Sequence, residues 1–565
     1  YGISDEIKIS GDFPYGLHLL GVGMGEYDFG STLSSDEYEY KGVSGGYTLL
    51  RFASPDRLPK NMISVYSDNV TISGMTIIGG ESGGYECRNL FISAKNVTVS
   101  DTRMIKADTR DFVKSGSATL MCESNLEIDS GSGNIALTGC EFHSKASAIQ
   151  IGSDNFAWPA ACFIASRTVR NVRISDCGIY GYTHVYTKPS GEKLDADEGE
   201  ISRGITALNV DGLIVENNRF QGGDLKNERY LVRAMMFRLG AQNTYIAGNE
   251  IRNVGSAAGS GIHGNKGEQI LFHGTGGTNG IFECLETDEN KVTLKVDGIP
   301  QTDYKGDKTY PAKSFDNSGS KLIEGLEDAI CGYLYICSGK GIGQVRRTEG
   351  YEAADGKAVF GLESPFTITP DETSVVNLFY GANRNIVVGN VIKNDENLYG
   401  KGLKTGGVLL FFESYKNIIA DNEIANMSFG IALNARFKAP SLWNCVRGNR
   451  ISGIKEYEKD AAQGGDTTYN AAFLCESVIS NLDGWDGYRA WYTVGNAFRN
   501  NICSDGDAAI ELTTNRWHRN AGRVRPCTRT SGLVCAELIL AVLSGGFGVT
   551  TLWLLLHPFG LIALT

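Results

Sequence analysis

Several ionisable side chains stand at the ends of short apolar runs, where neighbouring strands would bring them together. Glu123 lies in T-L-M-C-E-S, Asp154 closes A-I-Q-I-G-S-D, Arg203 opens R-G-I-T-A-L, and Arg233 and Arg238 bracket the apolar part of R-A-M-M-F-R-L. His263 sits in G-I-H-G, Glu413 in V-L-L-F-F-E-S, and Arg436 closes G-I-A-L-N-A-R. Two chemistries fit these residue types. Hydrolysis of a glycosidic bond needs one protonated and one ionised carboxyl group about 5 to 9.5 Å apart, which Glu123 and Asp154 would supply from consecutive coils. Elimination from a uronic acid needs a base for the proton beside the carboxyl group and a cation to neutralise that group, for which Arg203, Arg233, Arg238 and His263 are suited. Trp158, Tyr182 and Tyr230 lie in loop segments, and rings so placed can stack on sugar faces. For each residue singly, a structural ion pair or a solvated position is the competing reading.

Scattered side chains become a site only if the backbone gathers them, and a repeated phrase shows how. N-V-T-I-S-G-M-T-I (Asn69 to Ile77), N-V-T-V-S-D-T-R-M-I (Asn96 to Ile105), N-I-A-L-T-G-C-E-F (Asn134 to Phe142) and N-V-R-I-S-D-C-G-I (Asn171 to Ile179) are copies of it. L-I-V-E-N-N-R-F (Leu213 to Phe220), N-T-Y-I-A-G-N-E-I (Asn243 to Ile251), N-I-V-V-G-N-V-I (Asn385 to Ile392), N-I-I-A-D-N-E-I (Asn417 to Ile424) and C-V-R-G-N-R-I (Cys445 to Ile451) continue it. Self-similarity of this kind marks a solenoid whose coils stack about 4.8 Å apart and pair in parallel. Alternate residues such as Val70 and Ile72 then face a continuous core. Asn218, Asn249, Asn390, Asn422 and Asn449 share one turn position, where asparagine is expected to take a left-handed conformation and bond the next coil. Cys140 and Cys177 also share a repeat position and read as stacked core thiols.

The phrase resembles the pectate-lyase-like superfamily of right-handed parallel β-helices, which includes pectate lyases, polygalacturonase-type hydrolases and tailspikes. The resemblance covers roughly 62–264 and 381–514. It implies an all-β, right-handed parallel β-helix whose catalytic groups lie on the strand preceding each N-V-T-I phrase, near the middle of the stack. That face holds the ionisable residues above, with Glu413 and Arg436 as substrate contacts beside Trp158, Tyr182 and Tyr230. The N-T-D, D-D and R-I-K pattern of polygalacturonases is not found in successive coils.

Composition bounds the alternatives. A formal charge of −12 repels a phosphate backbone, so nucleic-acid binding is disfavoured. Gly at 71 against Pro at 12 fits many tight turns. The 13 cysteines form no C-x-x-C pair, and no metal site is expected from them. The acidic loop with Asp195, Asp197, Glu198 and Glu200 leaves calcium open, although D-x-D-x-D-G spacing is missing. The Gly339 to Gly343 stretch lacks the Gly-Lys-Ser/Thr ending of a phosphate loop and reads as a tight inter-strand turn.

The organisation expected is N-terminal coils over 1–264, a small β-rich insertion over 265–382 with a hairpin around Asp288 to Asn290, C-terminal coils over 383–515, and an atypical tail over 516–565. That tail carries five arginines against the single Glu537, followed by an apolar stretch from Leu533 to Leu556. A membrane anchor is disfavoured there, and sequence foreign to the natural protein is the preferred reading. The expectation is a secreted or cell-surface protein that cleaves a polysaccharide, by hydrolysis first, with a uronate lyase or a carbohydrate-binding, adhesive β-helix as rivals. No cofactor other than calcium is expected, and the oligomeric state is left open.

Overall fold

The computed structural model describes residues 2–3, 5–25, 46–52, 60–79, 81–82, 85–86, 88–105, 124–144, 147–152, 163–164, 167–181, 203–222, 233–255 and 268–274. It further describes 281–299, 301–302, 308–309, 329–330, 332–395, 405–435, 439–454, 471–476, 479–482, 489–506, 510–513, 536–539, 552–556 and 560–564. The regular elements among them are strands, and most join one large, predominantly parallel array that winds as a right-handed β-helix.

Each coil contributes three strands, which stack into three sheets. The first sheet takes the opening strand of every phrase: Val97, Val99 and Ser100 pair with Val70, Ile72 and Ser73 on one side and with Ile135, Leu137 and Thr138 on the other. The second takes the closing strand, with Glu141–Ser144 beside Gly178–Gly181 and then Arg219–Gln221. The third takes the strand before the next phrase and runs Arg203–Asp211, Arg233–Gln242, Glu268–His273, Gly406–Phe411, Phe429–Asn434, Phe473–Glu476 and Ile510–Thr513. Period-two alternation turns Ile72, Val99, Leu137, Ile174, Val215 and Ile246 into a common core.

The turn between the first and second sheets shows how the sequence sets each coil. The left-handed residue is the one before the expected asparagine: Asn217 (φ 54°), Gly248 (φ 62°), Gly389 (φ 64°), Asp421 (φ 55°) and Gly448 (φ 65°). The expectation for Asn218, Asn249, Asn390, Asn422 and Asn449 is therefore corrected in conformation and upheld in bonding. Each is buried and caps the coil before it. The Asn422 carbonyl accepts from the Asn390 backbone N–H at 3.0 Å and its amide at 2.9 Å, while the Asn422 amide donates to Val387 O at 3.0 Å. Asparagine wins here because one planar amide both accepts and donates along a 4.8 Å stack, roughly the spacing of paired strands. Cys140 and Cys177, free and buried, replace that ladder in earlier coils.

The expected insertion divides between two structures. Glu268–His273 pairs into the third sheet, whereas the strands from Ile281–Asp288 to Val375–Phe379 close a six-stranded antiparallel barrel. Ile281–Asp288 and Lys291–Gly298 form the expected hairpin. Tyr333–Ser338 meets Val345–Ala354 across the Gly339 to Gly343 turn. The barrel has its own core of Phe282, Leu294, Leu334, Phe360 and Leu378, among others. A second cluster welds it to the solenoid, with Tyr333, Tyr335 and Phe379 packed with Tyr415, Leu442 and Tyr492. In the tail, Ala536–Ile539 pairs antiparallel with Ala497–Gly506, and Leu552–Leu556 pairs with Gly560–Leu564. No helix among the described residues is long and apolar enough to cross a membrane.

Candidate functional site

Register on the third sheet decides which expected residues meet. Arg203 stands opposite Arg233 in the next coil, and Leu208 stands opposite Arg238. Arg238 is then opposite His273, and His273 opposite Phe411. Phe411 leads to Asn434 and on to Glu476. Between the polar ends runs an apolar strip of Met236, Leu271, Leu409, Ala432 and Leu474, which is buried together with Phe429. The face thus has a hydrophobic middle, with Arg203 and Arg233 at one end of its strands and Arg238 and His273 at the other.

The arginines divide by burial. Arg233 is 1% exposed and donates to Glu268 Oε2 from Nε at 3.2 Å and from Nη2 at 3.0 Å. A charge so enclosed is held by its partner and fixes the coil, so Arg233 has a positioning role in place of the direct contact expected of it. Arg203 and Arg238 are partly exposed. Glu413, expected to touch substrate, is 0% exposed. It is enclosed beside Gly274 and Gly381, where an added Cβ would stand 2.3 Å from a Glu413 oxygen in both cases. Such burial removes Glu413 from the sugar-contacting set. Glu123, Asp154, Trp158, Tyr182, Tyr230, His263 and Arg436 lie outside the described residues, as does the acidic loop 195–200.

One residue the sequence reading passed over completes this face. His273 ends the strand Glu268–His273 and is half-buried between Phe411 and Phe412, whose ring centroids lie 5.2 and 5.1 Å away. Its Nδ1–H donates to Gly274 O at 2.9 Å, which leaves the Nε2 lone pair as acceptor. Burial pushes its pKa down to about 4, and the positive charges of Arg238, Arg233 and Arg203 push the same way, against the upward pull of the Gly274 carbonyl. The imidazole is therefore neutral at pH 7. The phrase E-Q-I-L-F-H contained the signal: a polar residue after an apolar run, as in R-A-M-M-F-R. Between Arg233–Gln242 and Gly406–Phe411 the third sheet holds Glu268–His273, and the expected column strand at 261–264 lies outside the described residues.

A second charged column lies on the outward side of the second sheet. Arg103 Nε donates to Glu141 Oε2 at 2.6 Å, and Arg103 Nη1 donates to the carbonyls of Met24 and Gly25 at 3.1 and 3.2 Å. His143 Nε2 lies 3.4 Å from Glu141 Oε2 and stacks on Tyr180 with centroids 4.8 Å apart. His143 and Arg103 hold Glu141 down to about 2, and burial lowers His143 to about 4. This network ties an N-terminal segment to the coils. Among the described residues no group of three His, Cys, Asp or Glu side chains is placed to hold a metal ion.

No family model matches the chain, and no curated protein matches it. Solved structures do. DFA-IIIase from Arthrobacter chlorophenolicus A6 is 11% identical, with 91% of this chain and 74% of that one covered and a TM-score of 0.35. PfbA, a surface adhesin of Streptococcus pneumoniae, is 10% identical over 87% of this chain and 84% of its own, with a TM-score of 0.30. The Dettilon tailspike protein is 10% identical over 91% of this chain and 60% of its own, with a TM-score of 0.37. These likenesses concern fold alone.

Proposed function

We propose that this β-helix acts on an acidic polysaccharide at the Arg238–His273 end of its third sheet, cleaving it by elimination. The observation that carries this reading is the pairing, in consecutive coils, of partly exposed Arg238 with a neutral His273 whose Nδ1 proton is already committed to Gly274, under the added positive charge of Arg233 and Arg203. A uronate carboxylate binds the Arg238 guanidinium by charge-assisted hydrogen bonds, in the positive field that Arg233 and Arg203 add. Their charge stabilises the electron density that develops on the carboxylate as the neighbouring carbon loses its proton. His273 Nε2 accepts that proton, the electron pair forms a carbon–carbon double bond, and the bond to the leaving glycosidic oxygen breaks, with that oxygen taking up a proton from solvent. The substrate carboxylate also raises the basicity of His273, offsetting the arginines.

The test incubates the full chain with polyuronates and with neutral glucans, recording ultraviolet absorbance of unsaturated uronate separately from new reducing ends. Elimination predicts both signals together on polyuronate. Reducing ends without absorbance would shift the reaction to hydrolysis and to the Glu123–Asp154 pair. Binding without either signal would leave an adhesive β-helix.

A further inference from the structure

A separate column of turn residues changes character where the barrel joins the solenoid. Among the described residues the coils enter their first-sheet strands through a left-handed residue, and in the earlier coils this is Asn69, Asn96, Asn134, Asn171, Gly212 or Asn243, with φ between 54° and 75°. Asparagine and glycine adopt that conformation cheaply. Asn96, Asn134 and Asn171 also reach back to the preceding asparagine at 3.1, 3.1 and 3.0 Å. In the three following coils the same position holds Arg384 (φ 56°), Lys416 (φ 54°) and Trp443 (φ 54°), before Gly495 restores a permissive residue. The backbone register is unbroken, with Arg384 N–H donating to Tyr415 O, Lys416 N–H to Leu442 O and Trp443 N–H to Val494 O. Long side chains have been placed where backbone geometry disfavours them, on three successive coils.

All three side chains are exposed. Among the described residues neither Arg384 nor Lys416 forms an ion pair with a carboxylate. Burial raises the hydroxyls of Tyr333 and Tyr380, and the charges of Arg384 and of Arg347 in the barrel act against it. The Trp443 indole is 48% exposed, and its Nε1–H reaches Gly343 O of the barrel at 3.4 Å. A Cβ on Gly495 would stand 2.4 Å from that ring, so the indole lies against bare backbone on one side.

We infer that Arg384, Lys416 and Trp443 form a second, non-catalytic strip that holds an acidic sugar polymer along the barrel seam. Cations one coil apart, about 4.8 Å, match acidic groups on successive sugar units, and the anchored indole offers a flat face for a sugar ring. A net charge of −12 opposes any polyanion at long range, so binding here rests on the local contacts of Arg384, Lys416 and Trp443. The strip shares no residue with the third-sheet face and does not depend on the reaction proposed there.

The test uses R384N/K416N/W443N, in which each turn regains a residue suited to its backbone. The full-length parent and the variant are titrated calorimetrically with size-defined oligouronate, sulfated oligosaccharide, neutral oligosaccharide and a single-stranded oligonucleotide. Both proteins also carry R203Q/R238Q, so that failure of the proposed reaction leaves this comparison intact. The expected result is binding of one or both acidic oligosaccharides that the variant weakens by about tenfold or more, with a melting temperature equal to or above the parent's. Because loss of the indole also removes packing, R384N/K416N is measured beside it and is expected to reduce the salt dependence of binding. Unchanged affinity in both variants, equal binding of the neutral oligosaccharide, or an oligonucleotide bound as tightly as the acidic sugars would overturn the inference.

Discussion

At the scale of single residues, environment separates side chains of one type. Arg233 is locked to Glu268 inside the wall, whereas Arg203 and Arg238 are partly exposed. Sequence showed three arginines of equal standing, because only burial distinguishes them, and burial is set by coils far away in the chain. Arg233→Gln is expected to lower stability, since Glu268 would be left buried without its partner, at a cost of about 3–5 kcal/mol. Denaturant unfolding checks it. The histidines give a pH dependence of known sign. His143 and His273 both drop from 6.5 to about 4 on folding, so the unfolded chain binds protons more tightly. The stability they support is complete above pH 6.5 and is lost as pH falls towards 4. Melting temperature should decline over that window, and the decline should be shallower in His143→Gln. Glu141, depressed to about 2, adds a loss at lower pH still, below its ordinary value of 4.5.

At the scale of elements, the repeat was legible because three constraints coincide in each phrase: alternation for the core, a permissive turn residue and a ladder-forming amide. Asn422→Ala would strand the Asn390 N–H and the Val387 carbonyl in the wall. At about 1–3 kcal/mol per buried unsatisfied group, a loss of several kcal/mol is expected in urea unfolding. The assignment of the left-handed position to that asparagine failed for a physical reason. Both residues of pairs such as Asn217-Asn218 suit turns, and only the hydrogen-bond ladder tells which is buried. The joint between barrel and solenoid was not legible at all. Gly240, at φ 107°, lies so close to the Tyr380 ring that an added Cβ would stand 1.9 Å away. Gly240→Ala should displace Tyr380 and cost about 1–3 kcal/mol through overpacking. Retention of full stability would show that the joint yields.

At the scale of the whole molecule, a parallel stack turns sequence distance into adjacency. Arg238 and His273 are neighbours through strand register, and the barrel from Ile281 to Phe379 is inserted between one coil and the next without breaking it. The periodic phrase exposed that architecture, while the proposed chemistry lies in the strands between phrases, where no motif recurs. Hence the fold was read from sequence and His273, the proposed base, was not. The most direct measurement of the functional claim is the rate of unsaturated-uronate formation by His273→Gln relative to wild type, with folding verified by its melting curve. Loss of the proton acceptor should reduce kcat by about 10²–10⁴-fold while oligouronate binding persists. A folded His273→Gln protein that forms the unsaturated product at the wild-type rate would contradict the account.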